Sequence, residues 1–362
     1  MTLTSLQRGQ ATSGGVDLPA LVQIGTRLRD AGLTTRGLGA WAGTTRLAAL
    51  PARLDELAVR EPTPAAAMLA LFVGGAELSP SRPRVPSALV DLLIAHGLVE
   101  HHAGCLRARV AIVPVARALL VCDRRDAAHD RARVCWPDDS SYHLATAIPP
   151  GRRTDWLDVG CGSAFAGLAR PELATRMMGV DLNERAVRYA RLGAALSGIM
   201  HLTASVGDVG DVPADREGAE LVTCNAPMPA PGPRTRSGPP SGSESGSSAP
   251  SASQPDARPP VIAELWRHAD PGMFERLWPA LRRAVRAGGT IVVHAATDAM
   301  LPVLRDAGGE RVVVTYTPET VRGFAVAWWR PDAADRFVAT ERSLTPERPH
   351  LDVRDRDDAL VG

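Results

Sequence analysis

From Thr154 onward, short apolar runs of strand length alternate with helical stretches, and no other feature of the sequence constrains the fold as strongly. The runs read DWLDVG, RMMGVDL, HLTASVGDV, ELVTCNA, GTIVVHAA, RVVVTYT and GFAVAWW. Strands that take turns with helices are covered by them on both faces, which predicts a mainly parallel sheet. One long segment interrupts the pattern, the Pro/Gly/Ser-rich residues 231–260. It carries too little apolar surface to offset the entropy of ordering, so the sequence predicts a disordered insertion there.

The first strand of the series runs through TDWLDVGCGSAFAGLA straight into a helix beginning near Ser163. Gly160 and Gly162 let a ligand approach the backbone and let the helix pack on the strand. A nicotinamide site would want a further glycine where Phe165 stands, and has no use for an acid at Asp158. An acid there suits a cationic ligand, and S-adenosylmethionine (SAM) carries both an ammonium and a sulfonium. The second strand ends at Asp181, about 20 residues after the glycines, where a carboxylate can accept both ribose hydroxyls. The third ends in SVGDV, where Asp208 can accept from the adenine amine. All three acids fall at carboxyl ends of parallel strands, the edge where open α/β sheets bind ligands.

On Asp158-Val-Gly-Cys-Gly, Asp181-Leu-Asn and Gly207-Asp208, residues 154–330 resemble a class I SAM-dependent methyltransferase. The resemblance implies an α/β fold with a Rossmann-like, seven-stranded methyltransferase sheet and SAM as cofactor. It assigns cofactor binding to Asp158, Gly160, Gly162, Asp181, Asp208 and Asn225. DLNERAVRYARLGAALSG is similar to the branch holding release-factor glutamine and base-amino methyltransferases, with Ala164 where the first motif often has a third glycine.

Cys224-Asn225-Ala226-Pro227-Met228 resembles the Asn-Pro-Pro-Tyr motif of that branch. The resemblance implies that Asn225 and the next carbonyl accept the N–H groups of the substrate, with Ala226, Pro227 and Met228 at its side. Met228 replaces a stacking aromatic worth roughly 1–3 kcal/mol per base, which disfavours a nucleobase acceptor. In WPDDSSYHLATAIPP, Asp139 or Ser140 reads as a helix cap, Tyr142 as a substrate contact and His143 as a second catalytic candidate, since its side chain titrates near neutrality. His268 and Asp270 are further candidates.

Ahead of this region, residues 1–17 read as a disordered leader and 18–135 as a mainly helical, winged-helix-like recognition domain. SALVDLLIAHG reads as a helix capped by Ser87 and closed at Gly97, and Leu106 to Ile112 alternate as a half-exposed strand. The helix from Ser87 to His96 has no arginine, so duplex DNA is not the expected partner. Residues 136–335 form the expected methyltransferase domain and 336–362 a C-terminal tail.

The 362 residues carry a formal charge of +1, too little to hold nucleic acid or a membrane by net field. Five cysteines without a C-x-x-C pair fit free thiols, no metal site is expected, and no apolar stretch approaches the ~20 residues of a membrane span. The expected protein is cytoplasmic and methylates a nitrogen of a small specialised metabolite or of a peptide or protein amide. Two alternatives stand beside it: an O- or C-methyltransferase with His143 as base, and a non-catalytic SAM-binding scaffold. Oligomeric state is not indicated.

Overall fold

The computed structural model describes residues 17–57, 64–79, 85–211, 218–229, 267–268, 272–316, 323–342, 349–351 and 353. The 231–260 insertion, the leader through residue 16 and Asp270 lie outside them.

The central sheet comprises β5 (Arg153–Val159), β6 (Ala174–Asp181), β7 (Leu202–Val206), β8 (Ala219–Asn225), β11 (Val285–Ala296), β12 (Glu310–Tyr316), β13 (Phe324–Arg330) and β14 (Arg336–Arg342). Their spatial order is β14-β12-β13-β11-β8-β5-β6-β7. Only β13 runs antiparallel to its neighbours. The sequence pattern predicts seven strands and the sheet has eight, because Arg336–Arg342 pairs parallel with β12 along its whole length. That strand is mostly exposed and rich in charge, so it lacks the apolar signal of a covered strand.

Chain order runs outward from β5 in both directions, through β6 and β7 on one side and through β8 and β11 on the other. The switch point between β5 and β8 is where such sheets open a crevice at their carboxyl ends. Successive residues of β5 serve opposite faces: Trp156 joins one apolar core and Leu157 the other. Helix Glu184–Ser197, capped by the Asn183 side chain and ended by Gly198, covers the first face. Helix Met273–Ala284, with Phe274, Trp278 and Leu281 buried, covers the second.

Among the described residues, the region ahead of Val99 holds the helices Leu18–Asp30, Thr35–Ala42, Leu50–Leu57, Pro64–Phe72 and Ser87–Ala95. Two antiparallel pairs follow, β1 (Val99–His102) with β2 (Cys105–Ala108), and β3 (Ala111–Val115) with β4 (Ala118–Cys122). The expected single strand from Leu106 to Ile112 is therefore broken at Arg109–Val110, and its second half is buried on both faces. The cap before Ser87 is Pro86, which accepts no side-chain bond, so Ser87 opens the helix without capping it.

This region is welded to the sheet through helix Glu184–Ser197. A Cβ on Gly25 would lie 1.7 Å from the Leu196 carbonyl oxygen, so the two backbones touch there. Arg29 Nη1 donates to that same carbonyl at 2.9 Å. The chain returns near its end: Leu47 N donates to Pro349 O, Leu351 N to Thr45 O, and Ala116 N to Leu351 O. Among the described residues no helix is long and apolar enough to cross a membrane.

Candidate functional site

Loops at the carboxyl ends of β5, β6, β7 and β8 line a cavity of about 990 Å³. That is the upper end of the range for a small-molecule pocket, with room for a cofactor and a second small molecule. Its floor is the turn after β5. Gly160 and Gly162 adopt φ of 63° and 53°, and a Cβ on either would meet nothing within 4 Å. Both lie among the cavity-lining residues, so the missing side chains leave a cradle for a ligand. Ala164 shares the left-handed conformation, at φ 61°, and precedes helix Phe165–Ala169. The turn is fixed by Gly160 N and Cys161 N, which both donate to Val180 O.

Asp181 closes the cradle from β6. One carboxylate oxygen accepts from Gly162 N and the other from Asn183 N, each at 2.8 Å. Each oxygen keeps a lone pair with which to accept from a ligand hydroxyl. Leu182 follows, lining the cavity with 59% of its surface exposed. Asp208 also lines the cavity, with one carboxylate oxygen turned back on Gly210 N.

Asp158 stands behind the cradle, where burial raises its carboxyl to about 7, against the hydrogen bond from Thr223 and with a further push from Asp181. Thr223 Oγ donates to it at 2.5 Å and itself receives the Trp156 indole N–H at 2.7 Å. A carboxyl held short of cationic neighbours is the group that a ligand ammonium or sulfonium would complete. The open cradle, the bidentate acid and this cation-seeking carboxyl fit SAM.

Asn225 lines the same cavity at the end of β8. Its Nδ2 donates to Ser140 Oγ at 2.7 Å, and its Oδ1 lies 2.9 Å from His294 Nδ1. Ala226 and Pro227 also line the cavity, and Ala226 N donates to His294 O. Two short strands, β9 (Met228–Pro229) and β10 (Arg267–His268), pair in parallel, Met228 opposite Arg267 and Pro229 opposite His268.

Two expectations are corrected. Tyr142 and His143 are 1% and 3% exposed and belong to the interior, not the cavity wall. The His143 ring sits 4.5 Å from that of Tyr316, and Tyr142 packs 5.3 Å from His350. The reason is the helix register. Asp138 is the N-cap, accepting from Ser141 N at 3.1 Å. Helix Asp139–Ala147 then turns Ser140, Ser141 and Leu144 to the cavity, and Tyr142 and His143 away from it. Sequence reasoning missed Thr223, Leu182, His294 and Tyr316. A histidine inside the apolar run TIVVHAA was the one available signal for His294.

Residues 151–242 match the family described as methyltransferase domain, a segment holding the cradle, all three acids and Asn225. No curated protein matches the chain. Similar solved structures include the YcgJ protein of Bacillus subtilis, 15% identical at a TM-score of 0.30, covering 44% of this chain. The chain spans only 51% of YcgJ's own length. A predicted O-methyltransferase of Agrobacterium tumefaciens is 16% identical, over 59% of this chain and 94% of that one, at a TM-score of 0.37. A TehB-like SAM-dependent methyltransferase of Corynebacterium glutamicum is 16% identical, over 54% of this chain and 88% of that one, at a TM-score of 0.31. With the glycine cradle and its acids, the family match means that the chain carries a SAM-dependent methyltransferase domain on a Rossmann-like α/β core.

Proposed function

We propose that the protein transfers the SAM methyl group to a nitrogen of a small specialised metabolite or of a peptide or protein amide. One observation carries the reading: the Asn225 amide, at the end of β8, lines the cavity that holds the cofactor cradle. When bound, SAM supplies a methyl on a sulfonium leaving group. The protein's own task is then to orient a neutral nucleophile and keep water out. Asn225 Oδ1 accepts an N–H of the acceptor and turns the nitrogen lone pair toward the methyl. Asp158 balances the cofactor's positive charge, Asp181 holds its ribose and Asp208 its adenine amine.

The degenerate Asn225-Ala226-Pro227-Met228 motif supports kinship with the release-factor and base-amino branch, and the missing aromatic favours a smaller acceptor than a base. Residues 18–135 then act as a winged-helix-like recognition domain ahead of a catalytic domain at 136–335, in a cytoplasmic protein that does not select duplex DNA. A base role for His143 loses its support, since the ring is turned from the cavity.

The test is label transfer from methyl-tritiated SAM to three acceptor panels: carboxamide peptides and amines, phenols, and carbon acids. Label on nitrogen that falls with Asn225→Ala supports the reading. Label on oxygen or carbon that Asn225→Ala leaves unchanged replaces it with base-assisted methylation, and no label on any panel favours the scaffold alternative.

A further inference from the structure

Asn225 is the middle of a hydrogen-bonded chain that the domain assignment does not explain. His294 sits opposite it in the register of the adjacent parallel strand, and the two side chains meet at 2.9 Å. The other ring nitrogen of His294 meets the Tyr316 hydroxyl, contributed by β12. On the far side Asn225 reaches Ser140 at 2.7 Å, and Ser140 Oγ reaches Asp138 Oδ1 at 2.6 Å. Four separate elements thus converge on one amide.

The direction of every bond follows from the ends. Asp138 Oδ1 is an acceptor, since it also takes the backbone N–H of Ser141. Ser140 therefore gives its hydrogen to Asp138 and presents a lone pair to Asn225. That places the Asn225 NH2 toward Ser140 and its oxygen toward His294. An amide oxygen only accepts, so His294 Nδ1 carries the proton. The ring is 1% exposed, and burial lowers its pKa to about 3, so it is neutral and Nε2 is a bare acceptor. The Tyr316 hydroxyl must then donate. Hydrogens run one way, from Tyr316 through His294, Asn225 and Ser140 to Asp138.

We propose that His294 and Tyr316 are positioning residues that lock Asn225 in a single amide orientation, with one lone pair of its oxygen left for an acceptor N–H. The inference rests on the reading of Asn225 as the group that holds the acceptor. A flipped amide would set its NH2 against the N–H of His294 and its oxygen against the Ser140 lone pair. Bonds aligned head to tail also polarise one another, which makes the Asn225 oxygen a stronger acceptor. Packing alone would ask less of these residues: the His294 ring stacks on Phe324 at 5.6 Å, and a phenyl ring at position 316 could make the same ring contacts.

Tyr316→Phe keeps those contacts and removes only the hydroxyl, so it separates positioning from packing. The readout is the His294 tautomer, from long-range proton–nitrogen spectra of full-length protein with 15N-labelled histidine, assigned by the signal lost in His294→Asn. The wild type is expected to show a neutral ring protonated on Nδ1. Tyr316→Phe is expected to shift the tautomer ratio toward Nε2–H by about fivefold, the worth of one neutral hydrogen bond. The Asn225 side-chain NH2 signals should broaden in Tyr316→Phe and in His294→Leu, and sharpen again in His294→Asn, which restores a donor. Titration with SAM alone should give the same affinity in all of them. A wild-type ring protonated on Nε2, or Asn225 signals that do not respond to Tyr316→Phe, overturns the inference and leaves the role of Asn225 standing. The expected tautomer together with undiminished methyl transfer by Asn225→Ala overturns instead the reading on which the inference rests.

Discussion

Thr223 and Asp158 face each other across the β8–β5 register, and the threonine hydroxyl gives its hydrogen to the aspartate at 2.5 Å. Thr223 is wholly buried and is itself held by the Trp156 indole, so the bond is fixed from behind. It is the one side-chain hydrogen bond that favours the ionised carboxylate, against a burial that raises the group to about 7. The site thus keeps a carboxyl poised between two protonation states until a cation arrives.

The sign of the pH dependence follows. Below about 7 the free protein holds Asp158 protonated, and cationic SAM prefers the carboxylate, so binding must expel a proton. SAM affinity is expected to be flat above that pH and to weaken by up to about tenfold per pH unit below it. Isothermal titration across the range checks this, and a flat profile would remove Asp158 from the cation's surroundings.

Asp158→Asn should separate stability from binding. A folded pKa raised above the unfolded value opposes folding increasingly as pH rises from near 4 through about 7. Asparagine removes that cost, of the order of 2–4 kcal/mol at alkaline pH. The variant should melt higher than the wild type at pH 8 while binding SAM more weakly and without the pH slope. A lower Tm at that pH would show that the carboxylate is not strained.

Asp181→Ala removes the carboxylate proposed to accept two ribose hydrogen bonds, each worth about 1.5–3 kcal/mol when the partner is charged. SAM affinity should fall at least about tenfold. Since the same carboxylate also holds Gly162 N and Asn183 N, Tm should fall by a few degrees as well. An unchanged dissociation constant would end the ribose assignment.

Gly162→Ala tests the cradle. The left-handed φ of 53° costs a Cβ about 1–2 kcal/mol, a modest loss of stability. Beyond its chain neighbours the new methyl meets nothing of the protein within 4 Å, at a residue that lines the cavity, so SAM binding should suffer by more than tenfold, beyond what that strain accounts for. Equal, small losses in both would place the ligand elsewhere.

Gly25→Ala, far from the cavity, should be the most destabilising of the set. Its Cβ would meet backbone atoms of Leu196 at 1.7 and 2.6 Å, which no rotamer change relieves. Helix Leu18–Asp30 must move off helix Glu184–Ser197, at a cost of about 2–3 kcal/mol or more. A Tm within two or three degrees of wild type would show that this contact is loose.

Much of this molecule is written locally. The period of the apolar runs foretold the parallel sheet, and Gly160, Gly162, Asp158, Asp181 and Asp208 were readable because strand, turn and acid lie in one short order along the chain. Such features need only neighbours in sequence. The side chains behind the site needed the pairing of distant strands. Thr223 meets Asp158 only because β8 lies beside β5, and His294 meets Asn225 only because β11 lies beside β8 in a particular register. A one-residue slip would turn either side chain to the other face of the sheet. His143 shows the same limit from the other side. Its chemistry suited a base, but a helix capped at Asp138, ahead of the expected Asp139 or Ser140, directs Ser140 to the cavity and the histidine to the core. Local sequence determined what the site is made of; the register of strands and the phase of one helix decided which side chains stand behind it.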